Sequence, residues 1–211
     1  TSLYVSSTGP NATFFSNGNK NLINPTVGGT GVPINPALSV SGLQYAMQIM
    51  GQQVDSDGGP IFVESVVLEV PPALEVAANN IINSTEILAA TGGGDGTGND
   101  QLRVMNWLRN RVQVRVNPWL PILNTTSGNT AWYLFASPGA GRPAMEVGFL
   151  MGHETPELWM KSPDAVRVGG GLVNPEEGDF EHDGIRYRVR HVVGGTLMDP
   201  KLAVASHGTG S

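Results

Sequence analysis

The stretch from Ile61 to Val70 constrains the fold most, because an extended segment runs directly into a proline-started helix. The run Ile61-Phe-Val-Glu-Ser-Val-Val-Leu-Glu-Val70 is rich in β-branched residues, which predicts a strand buried on both sides over most of its length. Pro71 and Pro72 follow at once, and a proline in the first helical turn lacks only an N–H group that would be unpaired there. The predicted helix has an apolar stripe formed by Leu74, Ala77, Ala78 and Ile81.

The rest of the chain adds one more helix and several short strands, which together predict an α+β fold. Ser41 to Gln44 matches a capping box, in which the Ser oxygen and the Gln side chain satisfy free amides of the first helical turn. The helix that follows has the apolar positions Leu43, Ala46, Met47 and Met50. Alternating or β-branched runs predict strands at 111–117, 132–135, 145–150, 158–160 and 185–190.

The chain has 211 residues, with 40% hydrophobic and only 14% charged residues and a formal net charge of -6. A charged share well below the ~25% of ordinary soluble domains has two explanations: a surface that meets other protein, or a surface rich in Asn, Ser and Thr. The acidic balance argues against nucleic-acid binding through a general basic surface. No Cys occurs, which excludes disulfides and thiolate metal sites. No apolar run has the ~20 residues of a membrane span, so we expect no membrane partner.

The segment from Ile185 to Arg190 alternates strictly between apolar and basic side chains. Successive side chains of a strand point to opposite faces, which predicts a half-buried strand with an arginine row on the outside. Like charges on one strand face repel each other unless acidic groups meet them, and a partner surface is a natural source of such groups. The candidates for contacts between subunits are Arg186, Arg188 and Arg190.

No catalytic motif accompanies these elements, and we expect no enzyme activity, no cofactor and no metal. The Gly-rich segment 91–100 matches neither dinucleotide-binding nor phosphate-binding loop patterns, and its composition predicts a mobile loop of unassigned role. His153, Glu154 and Glu157 lack the spacing of a helical zinc motif. An acidic turn at 176–183 resembles an ordinary solvated surface more than an ion site.

Several segments, taken in order, resemble the major capsid (major head) proteins of tailed bacteriophages, and most closely the branch with members fused to the prohead protease. The resemblance spans almost the whole chain, and the order of the segments carries it rather than any single motif. The first segment departs from the family at Asn17, where family members often have His. The segments are Phe14-Phe-Ser-Asn-Gly-Asn-Lys-Asn-Leu22, the capped helix, Val67–Glu75, Trp132–Phe135, Met145–Leu150 and Asp183-Gly-Ile-Arg-Tyr-Arg-Val-Arg-His-Val-Val-Gly-Gly195.

This resemblance implies the fold shared with encapsulins and the floor of herpesvirus capsids. The expected parts are an amino-terminal arm, an extended loop, a long spine helix, a peripheral domain and an axial domain. The first three are expected upstream of Thr1 and missing from this chain. Residues 38–160 are expected to form the axial domain, with 1–37 and 161–211 in the peripheral domain.

The resemblance also implies a function: a structural subunit of an icosahedral capsid that assembles in the host cytoplasm into a shell around double-stranded DNA. The expected partners are copies of the chain in hexamers and pentamers, together with packaged DNA bound without sequence specificity. Decoration, scaffold and portal proteins are further candidate partners. The alternatives are an encapsulin-like nanocompartment and, from another class, a small metal-dependent hydrolase that uses His153, Glu154 and the acids of 176–183.

Overall fold

The computed structural model describes residues 14–55, 57–90, 101–137, 142–161, 164–165, 167–171 and 173–209. The chain divides into two units, which we call unit 1 (residues 1–145 and 197–211) and unit 2 (residues 146–196). The predicted mobile loop at 91–100 lies outside the described residues. The helices are α1 (Pro25–Gly28), α2 (Val40–Gly51), α3 (Glu75–Asn83) and α4 (Leu120–Leu123), with 3₁₀ turns at Pro72–Leu74, Pro175–Glu177 and Pro200–Leu202. The strands are β1 (Val66–Val70), β2 (Glu86–Ala90), β3 (Gln101–Met105), β4 (Val112–Val116), β5 (Trp132–Ala136), β6 (Met145–Phe149), β7 (Glu157–Met160), β8 (Tyr187–Arg190), β9 (Val193–Leu197) and β10 (Ala203–Ser206).

The main sheet of unit 1 has the strand order β10-β5-β1-β4, and β2 and β3 form a separate antiparallel pair. β1 is parallel to β4 and antiparallel to β5, and β10 is antiparallel to β5. The predicted strand at 61–70 begins only at Val66, because the ladders to both neighbours begin there, with Val66 opposite Val112 and Ala136. Ile61 instead donates its backbone N–H to Gln53 O at 3.0 Å.

The N-cap of helix α2 lies two residues before the first residue of the predicted capping box. Ser39 is the N-cap, and its Oγ accepts the backbone N–H of Gly42 at 3.0 Å. The prediction of Ser41 as the cap is therefore wrong. Both serines offer a hydroxyl, but Ser39 has the extended backbone of an N-cap, whereas Ser41 lies within the helix. The predicted apolar stripe is confirmed: Leu43, Ala46 and Met50 are buried in the core, and Met47 packs against it.

The apolar stripe of α3 is rotated relative to the prediction. The prolines start a 3₁₀ turn at Pro72–Leu74, and the α-helix proper begins at Glu75. A 3₁₀ turn has about 3.0 residues per turn instead of 3.6, so it changes the phase of every position after it. Ala77 is consequently exposed, whereas Ile82, which the prediction omits, is buried together with Ala78.

Each face of the main sheet carries its own apolar cluster. The cluster on the helical side combines α2 and α3 with inward side chains of the strands, including Leu68, Trp132 and Leu134. The cluster on the other side contains Phe14, Phe15, Leu120, Tyr133 and Leu202. The first described residues of the chain therefore pack into the same unit as the strands that follow them.

Two buried asparagines tie loops to these elements. Asn21 is 0% exposed, donates through Nδ2 to Phe14 O at 2.8 Å and Pro200 O at 2.9 Å, and accepts the Ser16 N–H at 2.8 Å. Asn106 donates to the carbonyl of Ile81 at 2.7 Å and so helps to close the end of α3. Free carbonyls at a helix end need such partners when they are buried.

Unit 2 contains two two-stranded sheets, β6 with β9 and β7 with β8. The predicted strands within it are confirmed, although β8 begins at Tyr187 instead of Ile185. The expectation of a half-buried strand is wrong, because all four residues of β8 are exposed on both faces. Among the described residues of 146–196, no apolar side chain is buried. Unit 2 alone thus contains strands without a core.

The mixture of helices and strands agrees with the α+β fold class. The two units divide the chain at 145/146 and 196/197, whereas the expected axial and peripheral domains divide it at 37/38 and 160/161. The domain names therefore stay a prediction. No helix among the described residues is both long enough and apolar enough to span a bilayer.

Candidate functional site

The pairing of β7 with β8 decides which side chains accompany the arginine row. The strands are antiparallel, with Glu157 opposite Arg190 and Trp159 opposite Arg188. Directly opposite residues lie on the same face of a sheet. Glu157, Trp159, Arg188 and Arg190 therefore share one surface, which we call the arginine face.

Arg190 has an acidic partner within its own chain. Its guanidinium donates to Glu157 Oε2 at 2.9 Å, and the other carboxylate oxygen of Glu157 is paired with His153 Nδ1. The hydrogen bond from His153 is the main cause of a lowered pKa of Glu157, and the bond from Arg190 lowers this pKa further. Both partners favour the ionised carboxylate, so Glu157 neutralises the end of the arginine row.

Trp159 supports the two arginines of β8. The guanidinium carbon of Arg188 lies 5.5 Å from the centre of the Trp159 ring, and that of Arg190 lies 5.8 Å away. At exposed sites such cation–π contacts contribute about 0.5–1 kcal/mol each. Within the part of the chain that the structure describes, no carboxylate forms an ion pair with Arg188.

Arg186 lies just before β8 and approaches a carboxylate that organises a turn. Its guanidinium is 3.6 Å from Asp179 Oδ2, while Asp179 Oδ1 accepts the backbone N–H groups of His182 at 2.9 Å and Gly184 at 3.2 Å. These backbone hydrogen bonds are the main cause of a lowered pKa of Asp179, to which the charge of Arg186 adds. The acidic groups that meet Arg186 and Arg190 thus come from the same chain, whereas the sequence favours a partner surface as their source.

The opposite side of the same strand pair is apolar and uncovered; we call it the apolar face. The register places Leu158 opposite Val189 and Met160 opposite Tyr187. Their exposures are 69% for Leu158, 65% for Val189, 58% for Tyr187 and 40% for Met160. The alternation at 185–190 predicts the part of this face that β8 supplies, Tyr187 and Val189. The part that β7 supplies, Leu158 and Met160, is known only from the pairing of the two strands.

The residues proposed for a metal site are not brought together. Among the described residues, no three His, Asp or Glu side chains are grouped closely enough to hold a metal ion. His153 is paired with Glu157, but the backbone carbonyl of Glu154, rather than its carboxylate, lies 3.3 Å from His191 Nε2. In the acidic turn, Asp179 is already engaged by backbone amides and Arg186. The geometry therefore gives no support to the hydrolase alternative.

The comparison with protein families decides the class of protein. Residues 5–206 match the model of a family described as phage capsid protein. The chain belongs to the phage capsid protein family. A comparison with curated proteins found no match. The resemblance that the ordered segments indicate is thus confirmed, and this phage capsid protein is a structural component of the virion capsid, from a family of structural, non-enzymatic proteins.

Proposed function

We propose that this phage capsid protein assembles with copies of itself into an icosahedral shell that encloses double-stranded DNA. The observation that carries the proposal is the lack of a core in unit 2, where no described apolar side chain is buried. More than half of the exposed large apolar side chains of the described chain lie in unit 2, which is about a quarter of its length. Large uncovered apolar surfaces are typical of protein–protein contact sites.

The energetics of such a unit favour assembly. A two-stranded pair of strands is marginally stable by itself in water. Fully burying one large apolar side chain contributes about 1.5–3 kcal/mol, so covering the four partly exposed residues of the apolar face contributes roughly 4–7 kcal/mol. Contact with neighbouring subunits is therefore the natural source of stability for unit 2, and a shell repeats such contacts by symmetry.

In this proposal the subunits form hexamers and pentamers, with residues 38–160 as the axial domain and 1–37 and 161–211 in the peripheral domain. The pairing of β10 with β5 connects the two proposed domains, because residues 203–206 of the peripheral range form a sheet with residues 132–136 of the axial range. An arm, an extended loop and a spine helix complete the proposed fold. They do not correspond to any described element of this chain.

The charge of the chain suits a container for nucleic acid. A net charge of -6 disfavours tight adhesion of packaged DNA to the shell, since like charges repel. We expect DNA to be held without sequence specificity, and assembly to take place in the host cytoplasm. Scaffold, portal and decoration proteins are the further partners that such a shell uses.

The arginine face is the proposed polar part of the contact between subunits. Arg186 and Arg190 already have acidic partners in the chain, so Arg188 offers the most available charge for a neighbour. A planar guanidinium that is held over Trp159 is preorganised for two parallel hydrogen bonds to a carboxylate. The partner atoms belong to another copy in this proposal.

Electron microscopy and light scattering of the purified protein test the proposed assembly. We expect rings, capsomers or shells, and DNA inside shells made in host cells that resists added nuclease. Protein that stays monomeric at every concentration contradicts the proposal. Shells that contain protein cargo and no protected DNA favour the encapsulin-like alternative.

A further inference from the structure

Strand β7 of unit 2 has an outer edge with free hydrogen-bonding groups. In the described part of the chain β7 pairs only with β8, which leaves one edge of each strand without a neighbour. Lys161 donates its backbone N–H to Arg186 O at 2.9 Å, in the same register that pairs β7 with β8. Backbone groups point alternately to the two sides of an antiparallel strand, so the odd-numbered residues of β7 bond to β8. The N–H and C=O groups of Leu158 and Met160 therefore point outward.

This outer edge of β7 is open to another strand. Among the described residues, no backbone group outside the β7–β8 pair bonds to Leu158 or Met160. Such an edge is a ready template for a strand of another chain. We infer that the outer edge of β7 pairs with the same edge in a second copy of this chain, antiparallel and around a two-fold axis at Trp159. This contact rests on the proposed function and specifies one of the surfaces through which the subunits meet.

The axis at Trp159 satisfies the outward backbone groups of both copies. Leu158 lies opposite Met160 of the second copy, and the axis repeats this pair. Each of the two pairs exchanges two hydrogen bonds, so the contact contains four. The result is a four-stranded sheet in the order β8-β7-β7-β8. A sheet of three or more strands with an apolar face is stable in water where a single pair of strands is marginal.

The same register sets complementary side chains opposite each other on both faces of the sheet. On the arginine face, Glu157 lies opposite Lys161 of the second copy, again twice, and Trp159 lies opposite its own counterpart. Opposite charges and aromatic pairs directly across a sheet both stabilise it. On the other face Leu158 meets Met160, so the two apolar faces join into one continuous apolar surface.

The ion pair across the axis is compatible with the contacts that both groups make within the chain. Lys161 forms an exposed pair with Asp164 at 3.1 Å, and its ammonium group has three donors. Each carboxylate oxygen of Glu157 has one partner, His153 or Arg190, and two acceptor sites. Glu157 and Lys161 therefore keep these partners when they meet across the axis.

Other registers of two β7 edges satisfy fewer backbone groups. With the axis at Leu158, Met160 lies opposite Pro156, which has no N–H to donate. With the axis at Met160, Leu158 lies opposite a position beyond the end of β7. A shift by one residue turns the outward groups of one copy toward groups that are already bonded in the other. The axis at Trp159 alone pairs both outward residues of each copy.

The arginines of β8 disfavour the same pairing at the other edge of the strand pair. The outward groups of β8 are those of Tyr187 and Val189, and every antiparallel register that matches them sets arginines of the two copies opposite each other. Like charges directly opposite each other destabilise a sheet. Pairing through β7 instead separates the two arginine rows by three strand spacings, about 14 Å. This separation exceeds the Debye length of ~8 Å at physiological salt.

Pairing of β7 with β8 of a second copy is also less complementary. In the register of the β7–β8 pair, it sets Glu157 opposite Arg190, which that carboxylate already binds in its own chain. It also sets Lys161 opposite Arg186, a pair of like charges. The two-fold arrangement has two opposite-charge pairs and no like-charge pair across the contact, so it is the favoured one.

Single introduced cysteines test the contact, because the chain contains no Cys of its own. Trp159→Cys places a thiol on the axis, where opposite Cα atoms are about 4.5 Å apart, within the range of a disulfide. Leu158→Cys is the matched control, since its own counterpart lies two residues out of register, at about 8 Å. This distance is beyond the roughly 7 Å limit for a disulfide. Mixing Leu158→Cys with Met160→Cys leaves Trp159 in place and sets the two thiols opposite each other.

The assembled proteins are oxidised with copper phenanthroline and separated on a non-reducing gel. We expect Trp159→Cys and the mixture of Leu158→Cys with Met160→Cys to give a band at about twice the monomer mass of 22.2 kDa, and Leu158→Cys alone to stay at the monomer mass. Arg188→Cys, alone or mixed with Trp159→Cys, reports pairing through β8 by mass spectrometry of the linked peptides. Circular dichroism verifies the fold of each variant.

A pair of proline variants tests the hydrogen bonds themselves. Met160→Pro removes an outward N–H from each copy and leaves every backbone bond between β7 and β8 in place, as an edge position allows. Val189→Pro does the same at the outer edge of β8 and is the matched control. Because two of the four bonds across the axis are lost, we expect Met160→Pro to raise the concentration needed for assembly at least about tenfold. Val189→Pro is expected to assemble like the unchanged protein.

Four outcomes overturn the inference. Assembled protein in which neither Trp159→Cys nor the mixture of Leu158→Cys with Met160→Cys cross-links shows that the β7 edges do not meet. Equal cross-linking of Leu158→Cys alone shows a different register. Disulfides at Arg188→Cys show that β8 supplies the edge. Folded Met160→Pro that assembles normally shows that the outward groups are not used. In all four cases the unchanged protein still assembles and the proposed function stands, whereas an unchanged protein that is always monomeric refutes the proposed function itself.

Discussion

Replacing Asn21 with alanine removes the side chain that connects the loop after Phe14 to the end of the main sheet. The variant loses three hydrogen bonds, to Phe14 O, Pro200 O and the Ser16 N–H. Phe14 O keeps a bond from Asn19 Nδ2 at 3.0 Å. The Ser16 N–H loses its side-chain acceptor.

The magnitude follows from these contacts. Three hydrogen bonds at a net ~0.5–1.5 kcal/mol each, one of which leaves a donor without its acceptor in a poorly hydrated place, give a loss of about 3–5 kcal/mol. This is a large share of the roughly 5–15 kcal/mol that keeps a typical domain folded. For a chain of this size it lowers the melting temperature by roughly 6–20 °C.

Urea unfolding followed by tryptophan fluorescence measures this loss, because Trp132 is buried in unit 1. The matched control is Asn17→Ala, which truncates an exposed amide four positions away and is expected to change the free energy of unfolding by less than ~0.5 kcal/mol. A loss below about 1 kcal/mol for Asn21→Ala, or equal losses for both variants, refutes the argument that burial makes this amide important.

Three further predictions concern the arginine face, the alkaline limit of stability and helix α3. Arg188→Glu is expected to reduce the yield of assembled particles in light scattering while leaving the melting temperature within about 2 °C; a normal particle yield excludes Arg188 from the contact. Burial raises the pKa of Tyr133 to about 12 from the ordinary tyrosine value of 10.0, against the opposing effect of a hydrogen bond with Asn124. The folded protein thus favours the neutral phenol, and the stabilisation that this preference gives is complete below pH 10 and lost from about pH 10 to 12. The difference in the free energy of unfolding between the unchanged protein and Tyr133→Phe is expected to shrink by about 2–3 kcal/mol over this range. A difference that stays constant with pH contradicts the raised pKa. Ile82→Ala is expected to cost about 2–5 kcal/mol in urea unfolding and Leu74→Ala clearly less, because Ile82 is buried and Leu74 only half-buried; equal costs contradict the observed phase of the helix.

The elements of unit 1 that the sequence predicts well are those with a strong local pattern. Helix α2 has apolar residues at regular spacing and its buried face is the predicted one, and strand β4 lies within the predicted run at 111–117 with its valines toward the core. Boundaries depend on neighbours instead. β1 starts at Val66 because β4 starts and the antiparallel β5 ends opposite that residue, and α3 changes phase because a 3₁₀ turn precedes it. The residue pattern within either segment predicts neither the start of β1 nor the phase of α3.

The candidate site is predictable in its residues and not in its contacts. The alternation at 185–190 correctly predicts a strand with an arginine row. Glu157, the partner of Arg190, lies 33 residues upstream of it, and only the pairing of β7 with β8 brings the two together. Asp179, the partner of Arg186, lies in the acidic turn, and the fold of that turn brings it near. Asn21 is missed for a similar reason, since its role depends on Pro200 at the other end of the chain.

The order in which the chain is synthesised has a consequence for the position of β10. This strand supplies one edge of the main sheet, and it is synthesised after the whole of unit 2. Until then β5 has an unpaired edge, and the loop held by Asn21 has no Pro200 carbonyl to bind. A nascent subunit therefore carries the exposed apolar strands of unit 2 before the main sheet of unit 1 can be completed.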